Sequence, residues 1–356
     1  MKFSVFSLMQ WPGGQGQSHV FGNELEQLAA AEPQGYYGAW IAEHQVSRSG
    51  IGPAIPLSAA NLAARTSTIR IGTAITILPF MHPLRTAEEA AMLDILSEGR
   101  VDWGVGRGYQ GHEFKGVEVD IATSHEIFFE QLEIIKKAWS GESFSHSGQF
   151  YNFSELQCFP SPIQRPGPTV YLSGSSAPTI EWAATHGYSV LADPLVSFDR
   201  LGASRKLYLE AAAKAATAPA SIAAPAVEHP ILRHVYVSES MSRAREEAGP
   251  ALLRYYRALI GSDAPSARLH GSDSADEGFD EIASTLNQDP EAFVESLLEE
   301  RAIVGDAAYC IERIAELKET ADLAHLIAWQ NFGGLSHEQS LASQKRLIED
   351  VAPTFV

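Results

Sequence analysis

The chain reads as an α/β protein folded into a (β/α)₈ TIM barrel, and three observations carry that reading. Short apolar runs alternate with amphipathic helical stretches along most of the 356 residues. The runs are continuously apolar, as in strands of a parallel sheet buried on both faces. Glycine-rich and polar segments follow several of the runs, at the ends where barrels place their chemistry. One domain is expected over residues 1–356, and an open doubly wound sheet is the competing architecture.

Each strand is justified by its own run. Phe3–Leu8, Gly38–Ala42, Ile69–Leu78, Val101–Val105, Thr169–Leu172, Tyr188–Leu191, Ile231–Val237 and Leu323–Trp329 are the eight expected strands. Between them the 3.6-residue period predicts helices over Asn23–Glu32, Ala54–Arg65, Leu84–Leu96, Ile121–Trp139, Ala177–His186, Phe198–Ala216, Ser242–Leu259 and His337–Val351. Pro33 is expected to end the first helix and Gly99 to close the third. Residues 142–159 break the rhythm, and alternation around Ser147-Gly148 predicts a hairpin on the rim. An acidic insertion is expected after the seventh strand and helix. From Gly261 to Asp306 twelve carboxylates face two arginines, Arg268 and Arg301. That stretch is long for a barrel connection, so 261–300 reads as a mobile insertion with a lid up to about Asn287 and a packed helix at Pro290–Glu300.

Composition excludes several classes. The net charge of −18 argues against a broad basic face for nucleic acid or anionic membranes. No apolar run is long enough to span a bilayer, and the first residues lack a basic leader with a cleavage site. Two cysteines, Cys158 and Cys310, support neither a disulfide framework nor a cysteine-rich metal site, so a cytoplasmic location is the default. His82, His112 and His125 are too scattered for a metal cluster, and none is expected.

Three rim segments carry candidate chemistry. Gly106-Arg107-Gly108-Tyr109-Gln110-Gly111 matches G-x-G-x-x-G literally, but the following residues show no helical face, so the dinucleotide reading is set aside. What survives is a flexible loop with one guanidinium, suited to a phosphate or to a plain turn. After the fifth strand, Ser176 reads as a helix N-cap, with Pro178 in the first turn and Thr179 at the third position. Hydroxyls at a helix start make an anion site or ordinary capping. At the end of the second strand stands Glu43-His44, an acid–base candidate or a satisfied polar pair.

Taken together, residues 72–114 (GTAITILPFMHPLRTAEEAAMLDILSEGRVDWGVGRGYQGHEF), AEH at 42–44, GSSAPTIEWAATHG at 174–187 and GGLSHEQSLASQKRLIEDVAPTF at 333–355 resemble the bacterial luciferase-like flavin monooxygenases. The resemblance covers nearly the full chain apart from 261–300. It implies a (β/α)₈ barrel that binds FMN as reduced flavin from a separate flavin reductase, forms a flavin 4a-hydroperoxide with dioxygen and oxygenates a small organic substrate. A homodimer is expected with it. By position, Arg107 resembles the phosphate-binding arginine with Tyr109 beside it, and Ser176 and Thr179 resemble the hydroxyls on the same phosphate. His44 resembles the active-site histidine, and Ala74–Ile75 falls where a non-prolyl cis peptide lies under the flavin ring. Three positions depart from the pattern. Gln45 replaces a second histidine, Ser175 stands where luciferase has a glutamate, and His125 where an arginine often meets the phosphate. The resemblance leaves two alternatives open, a deazaflavin-dependent reductase and a non-catalytic flavin-binding protein.

Overall fold

The computed structural model describes residues 1–216, 228–261 and 283–355. Its strands are β1 Lys2–Ser7, β2 Gly38–Ile41, β3 Arg70–Ile77, β4 Val101–Gly106, β5 Phe144–Ser147, β6 Asn152–Leu156, β7 Thr169–Ser173, β8 Ser189–Leu191, β9 Pro230–Val237, β10 Ile303–Gly305 and β11 His325–Trp329. Nine of them form one curled, TIM-barrel-like parallel sheet in the order β10-β9-β11-β1-β2-β3-β4-β7-β8. A parallel bridge from Ala192, just past β8, to Ile231 brings the far end of the series back to β9. The eight expected strands all lie in this sheet. The short β10 is an addition that the sequence reading lacked, and β5 and β6 form the expected antiparallel hairpin.

Helices fill the crossovers: α1 Gln17–Gln34, α2 Ile55–Arg65, α3 Pro83–Leu96, α4 Gly111–Gly116, α5 Ser124–Trp139, α6 Ala177–His186, α7 Phe198–Ala216, α8 Met241–Gly261, α9 Pro290–Glu300, α10 Ala307–Ala321 and α11 His337–Arg346. Three differ from expectation. Helix α1 starts six residues earlier and runs through Pro33, because Gly35, at φ +94°, supplies the left-handed cap two residues later. Helix α4 forms where no helical face was read, since six residues are too few for a period to show. Helix α10 was overlooked; Asp306 caps it by accepting from the Tyr309 amide at 3.0 Å.

Packing follows strict alternation along the strands. Phe3, Val5, Ala39, Ile41, Leu172, Val190, Val235, Leu326 and Ala328 face outward and join the helices in one core. Phe6, Trp40, Tyr171, Leu191, Leu232, Ile327 and Trp329 face inward and form a second, which continues under α8 and α9 through Tyr256, Phe293 and Leu297. Helix α9 therefore packs as expected. The expected lid lies mostly in residues 262–282, outside the described residues, while 283–288 are helical.

On β1 the outward position Ser7 is polar. Ser7 donates to the Glu24 carboxylate at 2.6 Å, and Glu24 is buried on the inner face of α1. Burial pushes that carboxyl up to about 7. A folded-state pKa above the ordinary value of 4.5 means the contribution is fully present below pH 4.5 and lost as pH rises through 7. Glu24→Gln should therefore be more stable than wild type above pH 7, by up to about 3 kcal/mol. Urea unfolding at pH 5 and 8 checks this; a gap that does not widen with pH would refute it.

Candidate active site

The site is built where β2, β3, β4 and β7 end. Strands β4 and β7 pair with Val105 opposite Leu172, so the next residues, Gly106 and Ser173, open neighbouring loops. A Cβ on Gly106 would stand 2.1 Å from Ile75 Cδ1 and 3.4 Å from Ser173 Cβ. Both loops thus close against Ile75. The Ala74–Ile75 peptide is cis, and the β3–β4 register shifts between Thr73 and Thr76 around it.

On the β7 side, Ser176 caps α6. Its hydroxyl lies 2.9 Å from Thr179 Oγ1 and accepts from the Thr179 amide at 3.4 Å. Ser175 is half-buried beside it, as are Arg107 and Thr179. Gly174 permits the tight entry, since a Cβ there would meet Thr179 Cγ2 at 2.5 Å. A guanidinium, two hydroxyls and the amides of a ten-residue helix are all hydrogen-bond donors to an anion, which fits the phosphate of FMN. His125 is exposed in the first turn of α5. Its ring sits edge-on to Phe129 at 4.8 Å, and Phe129 tilts onto Trp182 of α6 at 4.4 Å.

His44, past the end of β2, sits in a network the sequence did not reveal. Its Nδ1 is 2.9 Å from Glu113 Oε1, and the Gln110 amide approaches the same nitrogen at 3.0 Å. Nδ1 cannot both donate to the carboxylate and accept from the Gln110 side-chain NH₂; the charge-assisted bond is the stronger, so Nδ1–H donates to Glu113. Nε2 is left as the lone-pair nitrogen, able to take a proton and return it. Glu113 is almost fully buried and also accepts from the Gln45 amide at 2.8 Å. The ring's place is enforced from behind, where a Cβ on Gly50 would meet His44 Cδ2 at 2.8 Å.

A second carboxyl braces the first. Glu43 accepts from the Gln45 side chain at 2.9 Å and the Ile77 amide at 3.3 Å, tying β2 to β3 two residues beyond the cis peptide. Burial, with Glu113 nearby, pushes the Glu43 carboxyl up to about 7. Glu43 was read beside His44, but Glu113 and Gln110 were not singled out as site residues. The available signal was an acid in the short segment after the glycine loop, which only a helical reading of 111–116 would have turned inward.

Tyr109 is half-exposed at the same rim, and its hydroxyl is 3.4 Å from the Gln110 amide. Elsewhere, a cavity of about 410 Å³ opens between α1 and the loops after β1 and β11. It is lined by Gln10, Glu24, Gln27, Asn331 and His337 among others, and none of the expected site residues reaches it. Among the described residues no group of three His, Cys, Asp or Glu is arranged to hold a metal ion, and no helix is long and apolar enough to cross a membrane.

Residues 1–323 match the luciferase-like monooxygenase family. The chain is 28% identical over its whole length to the flavin-dependent trigonelline monooxygenase, oxygenase component, of Acinetobacter baylyi, covering 96% of that protein. Solved folds over the full chain include the oxygenating constituent of 3,6-diketocamphane monooxygenase from Pseudomonas putida in complex with FMN. Its TM-score is 0.81 at 20% identity, and 99% of it is covered. The coenzyme F420-dependent tetrahydromethanopterin reductase of Methanopyrus kandleri shares the fold at a TM-score of 0.71 and 18% identity, with 99% covered. With the match extending over most of its length, the chain belongs to the luciferase-like, flavin-dependent monooxygenases.

Proposed function

We propose that this protein is the oxygenase of a two-component system that receives reduced FMN from a separate flavin reductase and uses dioxygen to oxygenate a small organic substrate. The observation that supports the reading is that two unlike half-sites stand at the ends of neighbouring strands. One is the donor set of Arg107, Ser176 and Thr179; the other is His44 held by Glu113. A homodimer is part of the proposal, and the name of the trigonelline relative, an oxygenase component, supports the separate reductase.

The roles follow from the chemistry of each group. Arg107, Ser176 and Thr179 hold the phosphate, with Ser175 alongside and His125 further out on α5. Ala74 and Ile75 bear the ring, and Tyr109 borders it. Reduced FMN, when bound, supplies the electrons that activate dioxygen. His44 exchanges a proton at Nε2, and Glu113 fixes the tautomer that leaves Nε2 available. Burying Glu43 and Glu113 keeps water from the back of the imidazole, so its proton passes to the substrate side.

Two outcomes test this. A charge-assisted contact to an anion contributes roughly 1.5–3 kcal/mol, so Arg107→Ala should weaken FMN binding about ten- to a hundredfold in a fluorescence titration. Unchanged affinity would remove Arg107 from the site. His44→Ala should keep its FMN affinity but form product about 10²–10⁴-fold more slowly and release hydrogen peroxide instead. Glu113→Ala, which leaves the ring unheld, should fall between that variant and wild type. The readout is product formed per dioxygen consumed. If the reduced-FMN complex consumes no dioxygen while a deazaflavin supports hydride transfer, the protein is the reductase of the alternative reading.

A further inference from the structure

Helix α4 opens on a residue whose side chain does not cap it. Helix N-caps are commonly short polar residues that accept from their own first turn. Gln110 holds that position with its carbonyl alone, which accepts from the Glu113 amide at 3.0 Å and the Phe114 amide at 3.3 Å. Its side chain is buried and turned elsewhere. The NH₂ lies 3.0 Å from His44 Nδ1 and 3.4 Å from the Tyr109 hydroxyl. Three residues on, on the same side of the turn, Glu113 sets Oε1 2.9 Å from the same nitrogen. The approach is fixed by Gly108 at φ +82°, where a Cβ would meet Ile77 Cγ2 at 2.8 Å and Phe114 Cε2 at 3.4 Å. A donor and an acceptor therefore face one ring atom from a single helical turn.

A nitrogen flanked in this way is served in either form of the ring. With Glu113 ionised, Nδ1–H donates to the carboxylate, and this is the resting form. When Nε2 takes a proton, the ring becomes a cation beside an anion, and the two side chains are only 12% and 1% exposed. Among the described residues neither Glu113 nor Glu43 is paired with a lysine or arginine. Charges buried like this are costly to keep, and moving one proton across the 2.9 Å contact from Nδ1 to Oε1 removes both. The ring then carries its hydrogen on Nε2, and Nδ1 has a lone pair that needs a donor. The Gln110 NH₂ at 3.0 Å supplies one. The Gln45 amide, donating to Oε1 at 2.8 Å, keeps that oxygen in place throughout. The step balances: one proton enters at Nε2, one leaves Nδ1 and rests on Glu113, and nothing is oxidised or reduced.

We propose that Gln110 is a positioning residue that lets His44 exchange tautomers, so that Glu113 stores the proton taken up at Nε2 while the ring stays neutral. Glu113 fixes the resting tautomer, and Gln110 permits the other once a proton has arrived. The same Nε2 then accepts as a base in one form and donates as an acid in the next, without holding a buried cation between them. The return of the proton to the substrate side runs the same two transfers backwards. The use made of the stored proton rests on the flavin reading; the exchange itself does not.

The test reads the ring directly. In nitrogen NMR of the full-length protein carrying labelled histidine, His44 is identified by the signals missing from His44→Ala. The shifts of its two nitrogens tell the neutral tautomers from each other and from the imidazolium. As the pH is lowered, the wild-type ring is expected to pass from the Nδ1–H form to the Nε2–H form while the Glu113 carboxyl carbon reports protonation. Gln110→Met keeps the length and removes the donor. Its ring should go to the imidazolium instead, the neutral pair falling roughly two- to tenfold against the ion pair. Gln110→Glu, of the same shape but without the donor, should favour the imidazolium further. Each variant's FMN affinity, measured alongside, reports whether its fold is intact. Three outcomes would overturn the inference while leaving the flavin reading in place. They are a wild-type ring that goes straight to the imidazolium, the same proportions of ring forms in wild type and Gln110→Met, and a shift toward Nε2–H in that variant. The spectra need no FMN. A ring that behaves as expected in a protein whose reduced-FMN complex consumes no dioxygen would overturn the flavin reading and leave this one standing.

Discussion

The constraint on which the rest depends is the small volume inside the curled sheet. Inward side chains from neighbouring strands compete for it, so large residues on some strands require near-absence of side chains on others. Trp40 of β2 occupies the space that a Cβ on Gly72 of β3 would enter at 2.1 Å. Trp329, Tyr171 and Phe6 fill the remaining wall, with Trp40 edge-on to Tyr171 at 5.3 Å and Phe6 edge-on to Trp329 at 5.1 Å. On β4 the inward positions Gly104 and Gly106 carry no side chain. A Cβ on Gly104 would come within 2.0 Å of the Thr73 carbonyl, the backbone displaced beside the cis peptide. The opening at the site is therefore the complement of the aromatic packing elsewhere.

The ends of the interior solve different electrostatic problems. Toward the start of the strands, Asp102 and Arg70 pair at 2.7 Å, and Ser4 meets His325 at 2.7 Å, with burial holding that imidazole's pKa at about 3. The Arg70–Asp102 pair is matched in charge, whereas His325 Nδ1 has no hydrogen-bond partner among the described residues. At the other end, Glu43 accepts from the Gln45 side chain and the Ile77 amide, and Glu113 Oε1 from the Gln45 amide and His44. The ring they hold is that of His44.

The sequence disclosed the fold well because buried parallel strands advertise themselves as short, mostly apolar runs, and the run at β3 is the clearest of that kind. It disclosed the capped start of α6 too, since Ser176, Pro178 and Thr179 are a local signal that needs no tertiary contact. What it could not disclose is any feature created by burial of a polar group. Glu24 and Gln27 look like ordinary solvent-facing residues of an amphipathic helix, yet both are buried, because the loops after β1 and β11 fold over them. Glu113 was hidden by the same ambiguity in a segment too short for periodicity. The Ala74–Ile75 position came from resemblance rather than from physics, as no residue type there demands a cis bond.

The contrast between the half-sites explains why one was legible and the other was not. An anion can be held by main-chain amides and hydroxyls at a helix start, groups whose geometry is set within four residues of sequence. A proton-transferring imidazole needs its tautomer fixed, and that requires an acceptor brought from another crossover, here from residue 113 to residue 44. Long-range pairing of this sort leaves no local pattern in either segment. It also makes the imidazole's orientation depend on the mutual position of the loops after β2 and β4. That position is set in turn by Glu43, whose carboxyl bridges from β2 to the Ile77 amide at the end of β3. The chemistry at Nε2 is therefore a property of three strand ends held in register, and Glu43 is the group that keeps the cis peptide and the histidine in one frame.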